Sequence, residues 1–441
     1  MNVALLAAIE GLPVYSTHEH IGSLAPMSVA PVLAGSGEQS FREDCVPGAE
    51  PEAVTLLDLV FAPYLGGVLA SMGYKGPWPR TAPDSQVWET VRPFLRAAYG
   101  NGCYMALSIA FPALYDISLE AVLGGQADWR KLSAAISQRY ASGLYAYCKQ
   151  ALGSIGLRGA LRPVHGAYLD AWEAGAPGDG FFTPILRIDD WIGWQRNGMA
   201  QYPEASFEEL QAAIQNRFAQ VLRLQVPAMK QLQAYSRSLD FGDGANGAQA
   251  WDVLKKTDFR LDTTEAQTAF VAVGNACMHQ WAGLAVAYNL PHQIHTGMAN
   301  LTYAQPALLD SLLHRGGRTA LLHCQPYHAE AGYMAHTYRN VWVDAAWLAL
   351  QSQPVFEQTM TQWLGWVPYT QIHLSADATS VEECYGAWIM MKRGLARVLA
   401  DWPEDMALSA ARAMLYDNAL REYAIHENAK HEYAIEGDSP C

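Results

Sequence analysis

The chain alternates short apolar runs with longer stretches whose apolar residues recur at helical spacing. In the C-terminal half the runs fall at about 290–295, 319–323, 341–344 and 371–376. Four earlier runs lie at about 13–17, Leu157 to Val164, Thr183 to Ile188, and Leu224 to Met229, the last ending at Lys230. Amphipathic stretches at about 131–152, 205–222, 264–288, 304–315, 329–337 and 354–365 fall between them, and two more follow at about 381–401 and 406–421. Strand then helix, repeated, predicts a parallel sheet. Eight runs are the number a closed (β/α)8 barrel needs.

One interval breaks this rhythm. Residues 22–155 are too many for a simple strand-to-helix connection, and they carry aromatic residues such as Tyr74, Trp78 and Trp88. We read them as a mainly helical insertion after the first strand, inside a single domain spanning 1–441. On the catalytic rim it would serve as a lid that excludes water, as a contact in a homo-oligomer, or as both. The Gly-rich segment 241–247 reads as a loop, and no phosphate-binding G-x-x-x-x-G-K-[ST] pattern is present. Met1 to Ile9 is apolar but lacks a basic leader, so it reads as a helix covering the barrel bottom, not a signal peptide.

Composition narrows the function classes. With 51% hydrophobic and 16% charged residues, the 441-residue chain reads as folded and globular. Its net charge of −14 argues against nucleic acid as a partner. No run reaches the roughly 18 apolar residues of a membrane span, so no membrane partner is expected. Seven cysteines without a C-x-x-C pair read as reduced thiols, and the expected location is the cytoplasm.

The chemistry gathers at the ends of the apolar runs. His18 and His20 flank Glu19 after the first, and residues two apart on a strand project from the same side. His295, His323 and Asp377 end the fifth, sixth and eighth runs. In a (β/α)8 barrel all strand ends lie on one face, so these distant residues converge there. Imidazole and carboxylate suit a divalent metal, most simply Zn2+.

The pattern resembles the amidohydrolase superfamily of metal-dependent barrels. Gln293-Ile294-His295-Thr296-Gly297, the stretch Leu322 to Tyr333, Asn340 to Asp344 and Asn418 to Tyr423 look like its nodulin-type and glutamine-synthetase-fused branch. The resemblance implies that His18, His20, His295 and Asp377 bind metal. Asp377 would also take a proton from the attacking water, although its position before Thr379 and Ser380 also suits a helix cap. His323 would bind a second ion or the substrate, so one or two ions are expected. Lys230, followed by Ala234-Tyr235, matches a lysine that is carboxylated and bridges metals in some branches, or binds substrate as a cation. Ser236 and Met298-Ala299-Asn300 depart from the branch pattern.

His328, Glu330 and Asp344 are candidates for substrate binding, the first two also for helix capping. His292 and Arg393 read as packing or surface residues; His165, Trp191 and Trp194 stay open between pocket and core. The expected function is a metal-dependent hydrolase of a small polar amide, lactone or related substrate. The alternatives are a uronate-type isomerase or decarboxylase on the same scaffold, and a catalytically inactive metal-stabilised binding module.

Overall fold

The computed structural model describes residues 3–22, 54–175, 180–196, 198–202 and 204–425. Eight parallel strands form one sheet: β1 Val14–Ser16, β2 Leu157–Val164, β3 Phe182–Arg187, β4 Met229–Gln231, β5 His292–Thr296, β6 Thr319–His323, β7 Val341–Asp344 and β8 Ile372–His373. Each strand pairs in parallel with the next in sequence, from Val14 beside Leu157 to His373 beside Asp344. The sheet closes just beyond its first and last ladders. Asp377 N–H donates to His18 O at 3.2 Å, and His20 N–H donates to Ala378 O at 3.0 Å. The chain is therefore an α/β barrel with a mainly helical insertion after β1.

Two strands differ from the expectation for local reasons. The run Leu224 to Met229 gives only the start of β4. A helix over Phe207–Arg223 ends at Leu224, Gln225 turns with φ of 52°, and Pro227 has no N–H for a ladder. The run 371–376 keeps two ladder residues in β8, because the rest bends across to β1. A short antiparallel ribbon, Trp194–Arg196 with Met199–Gln201, was not anticipated.

Seven helices lie between β1 and β2 among the described residues, from Leu56–Val60 to Leu144–Gly153; the stretch 23–53 of the expected insertion lies outside those residues. The helix Gly102–Tyr115 packs against Val381–Val398, which follows β8. Glycine permits this approach: a Cβ on Gly386 would sit 2.1 Å from the Ala106 carbonyl oxygen. Buried Glu382, at the start of the second helix, accepts from the phenols of Tyr115, Tyr140 and Tyr147 at 2.5, 2.9 and 3.0 Å. Three insertion helices are thereby tied to the helix that follows Asp377.

The helix Val3–Glu10 was expected beneath the barrel. It packs instead against the outer helices Val381–Val398 and Glu404–Arg412. The floor comes from the other end of the chain. Tyr416, Ala419 and Tyr423 form an apolar cluster with Tyr15, Leu161, Ile185 and Ala228 from the first strands. Above it the barrel interior is polar. Asp344 accepts from Thr17 at 2.5 Å and Ser375 at 2.9 Å, which ties β7 to the ends of β1 and β8.

Candidate metal centre

The strand ends bring His18, His20 and Asp377 together. One ligand atom from each lies within 4.8 Å of the other two, and all three residues are buried. The Nε2 atoms of His18 and His20 are 3.1 Å apart, and Asp377 Oδ1 is 3.7 and 3.3 Å from them. Asp377 Oδ2 lies 3.6 Å from His323 Nδ1. The His295 ring sits against His323 with centroids 4.1 Å apart. Lys230 Nζ completes the group, 3.2 Å from His18 Nε2. His323 and Asp377 have φ of 65° and 54°, left-handed values that cost a non-glycine residue about 1–3 kcal/mol and cluster at functional sites.

Three of the imidazoles are held neutral. Burial pushes the pKa of His18, His295 and His323 well below the usual histidine value, and Lys230 adds to the effect in all three. A neutral imidazole keeps the lone pair that a metal needs. Its direction is set by the second ring nitrogen. His18 Nδ1 lies 2.8 Å from Gln293 Oε1, and Gln293 Nε2 donates to Thr17 O at 2.8 Å and to Tyr423 Oη at 3.0 Å. Gln293 therefore accepts from Nδ1–H and leaves Nε2 unprotonated toward Asp377. His323 Nδ1 donates to Ala346 O at 3.1 Å, which leaves its Nε2 as an acceptor.

Glu19 faces the other way. It accepts from Ser16 Oγ at 2.6 Å and from the Ala376 and Ala378 N–H groups at 3.2 and 2.8 Å. Burial pushes its carboxyl up to about 8. A proton shared with Ser16 leaves lone pairs for both backbone donors, so those bonds survive in either protonation state.

These residues fit a divalent cation. His295 Nε2 is buried without a hydrogen-bond partner, a buried carboxylate stands among imidazoles, and the donors are the nitrogens and oxygens that such ions prefer. His18, His20, Tyr64, Lys230, Leu232, Tyr235, His295, His323, Trp347 and Asp377 line a cavity of about 20 Å³, room for roughly one ion or water. Tyr64 comes from the helical insertion and packs against Trp347, with ring centroids 4.5 Å apart and planes tilted by 40°.

Three residues expected at the substrate stand elsewhere. Asp344 is fully buried below the rim, its oxygens taken by Thr17 and Ser375, and burial raises its pKa to about 6. His328 starts the helix His328–Thr337, and Glu330 accepts from Ala307 N–H at 2.6 Å on the surface. None of the three lines the cavity. Arg393 lies half-exposed, 3.9 Å from Glu10. His292 is buried at the start of β5, its pKa pushed down to about 3. His165 lies 3.1 Å from Asp190 and, with Trp191, borders a second depression on the same rim. The reading from sequence overlooked Gln293, Tyr64, Tyr235 and Trp347 as site residues.

Solved structures share this architecture over nearly the whole chain. Uronate isomerases from Thermotoga maritima and Bacillus halodurans superpose over 96% of this chain and 96% of their own, with TM-scores of 0.64 and 0.62 at 13% and 12% identity. The chain has their fold. A Lactobacillus casei protein assigned as a metal-dependent hydrolase covers 95% of this chain and 97% of its own, with a TM-score of 0.58 at 17% identity. Such coverage takes in the helical insertion as well as the barrel. In sequence, an alignment 156 positions long, covering 32% of this chain, is 31% identical to protein fluG of Emericella nidulans. That match spans 18% of the fungal protein. No family model matches the chain. Among the described residues, no helix is long and apolar enough to cross a membrane.

Proposed function

We propose that the chain is a metal-dependent hydrolase of the amidohydrolase superfamily, acting on a small polar amide, lactone or related substrate. The observation that carries this reading is the convergence of His18, His20 and Asp377 within 4.8 Å in a buried pocket. His18, His20, His295 and Asp377 would hold the ion, and their nitrogen and oxygen donors favour Zn2+. When bound, the ion supplies Lewis acidity and makes water a nucleophile near neutral pH.

The chain's own groups do the rest. Asp377 accepts the proton of the attacking water and returns it to the leaving group. Lys230, a donor beside His18, neutralises charge that develops on the substrate oxygen. His323, neutral and with Nδ1–H tied to Ala346 O, lies 3.6 Å from Asp377 and keeps a lone pair on Nε2 that would hold a second ion or the substrate. Tyr64, Tyr235 and Trp347 exclude water and shape the pocket. Tyr64 brings the helical insertion into the lining of this pocket, where it would act as a lid over the substrate.

A second reading, a uronate-type isomerase, is favoured by the superposition over 96% of the chain. One experiment separates the two. Metal-loaded protein is incubated with amide, lactone and sugar-acid panels in heavy-oxygen water. Hydrolysis gives products that together carry one solvent oxygen more than the substrate; isomerisation gives a product with the elemental composition of the substrate. Hydrolysis products from the amide or lactone panel support the hydrolase. Turnover of sugar acids alone, without added water, contradicts it.

A further inference from the structure

We propose that Glu19 is a positioning residue that holds Asp377 against His18 and His20. The inference rests on the metal-centre reading above and deepens it. Glu19 lies between the two histidines in sequence, but on extended chain its side chain points away from theirs. It is fully buried, and both of its carboxylate oxygens are occupied. Oε1 accepts from Ser16 Oγ at 2.6 Å and from Ala376 N–H at 3.2 Å, with Cys384 Sγ 3.7 Å away. Oε2 accepts from Ala378 N–H at 2.8 Å.

The two backbone donors are the neighbours of Asp377 on either side. Asp377 itself has a φ of 54°, a conformation that a non-glycine residue keeps only where its surroundings over-determine it. A carboxylate gripping the N–H groups before and after it supplies that restraint. The bonds His20 N–H to Ala378 O and Asp377 N–H to His18 O run alongside and close the barrel at the same place. The short segment just after β1 thus does two jobs. His18 and His20 face the cavity as candidate ligands, and Glu19, behind them, fixes the loop that delivers the third.

Glutamine cannot reproduce this grip. Its amide has one acceptor oxygen, so its NH2 group must face one of the two backbone donors. The test measures metal affinity, not turnover, on the full chain stripped of metal. Zn2+ dissociation constants are determined by chelator competition for the parent, Glu19→Gln and Ser16→Ala, and the melting temperature of each metal-free protein is recorded in parallel. Orienting groups behind metal ligands typically contribute about 10–100-fold in affinity. Glu19→Gln should lose about that factor, and Ser16→Ala, which frees one side of the Glu19 carboxylate, should lose less in the same direction. A role confined to packing would lower the metal-free melting temperature and leave the affinity of the folded protein alone. Unchanged affinity in folded Glu19→Gln overturns the inference. If that variant does not fold, unchanged affinity in Ser16→Ala overturns it. A parent that binds no Zn2+ overturns the metal-centre reading itself.

Discussion

His373 offers a test of the polar barrel interior that needs no substrate. It stands on the barrel floor beside Tyr423, 1% exposed, and neither ring nitrogen has a hydrogen-bond partner. Burial, with Arg421 and Arg318 nearby, pushes its pKa from 6.5 down to about 3. In the unfolded chain the ring titrates near its ordinary value, so between the two pKa values the unfolded state binds more protons. The stability that follows is present in full above about pH 6.5 and is lost as pH falls toward about 3. At pH 5 the ring is about 1.5 units below its unfolded pKa, and at 1.36 kcal/mol per unit the loss is about 2 kcal/mol. His373→Leu keeps a similar volume and removes both the titration and the unpaired nitrogens. At pH 7.5 the variant should be at least as stable as the parent, because replacing unsatisfied polar atoms with an apolar group is neutral or stabilising. At pH 5 it should gain a further 2 kcal/mol or so over the parent. Other buried groups titrate in this range, but they are common to both proteins and cancel in the difference. Urea unfolding at the two pH values, followed by tryptophan fluorescence, reads the effect as a shift in midpoint. A variant-minus-parent difference that is the same at both pH values would refute the reasoning.

Three further perturbations probe the site and its support. Asp377→Asn keeps the shape and one ligating oxygen but cannot accept a proton at neutral pH. On a substrate found by the heavy-oxygen assay it should lose about 10²–10⁴-fold in turnover while keeping bound metal, and near-parent turnover would exclude Asp377 as the base. Gln293→Leu removes the acceptor of His18 Nδ1–H and should weaken Zn2+ binding by about 10–100-fold in chelator competition; equal affinity would show that His18 needs no such partner. Gly386→Ala forces a Cβ to within 2.1 Å of the Ala106 carbonyl oxygen. Overpacking of this kind costs about 1–3 kcal/mol, and hydrogen exchange should rise in the helix Gly102–Tyr115, whereas unchanged exchange would mean the two helices part without loss.

The strand-end logic found the metal-type residues because two signals coincide there. An apolar run marks a buried strand, and a histidine or aspartate at its C-terminal end has to face the rim. His18, His20, His323 and Asp377 were legible for that reason, and so was the alternation that makes the barrel. Gln293 was visible in the same run as His295, but a neutral amide carries no mark of function; its role comes from a ring across the barrel. Tyr64 lies in an all-helical segment, and Trp347 in a turn after β7, where aromatic residues ordinarily read as core. Asp344 shows where that logic stops. It ends an apolar run as Asp377 does, yet it lies one layer deeper, where Thr17 and Ser375 consume its oxygens. Position along a run does not distinguish the rim from the layer beneath it. His328 and Glu330 were placed by nearness in sequence to His323, but neither lines the cavity.

Above all, the strand ends are expected to build a centre for a divalent ion. Metal content measured by elemental analysis, on parent and on a His18→Ala/His20→Ala double variant purified side by side, tests it most directly. At least one equivalent of divalent metal, most simply zinc, is expected in the parent, and little in the double variant. The variant should also melt at a lower temperature, since an ion bound only by the folded chain stabilises it. Equal metal content in the two proteins, with the double variant folded, would contradict the assignment of His18 and His20 and the mechanism built on them.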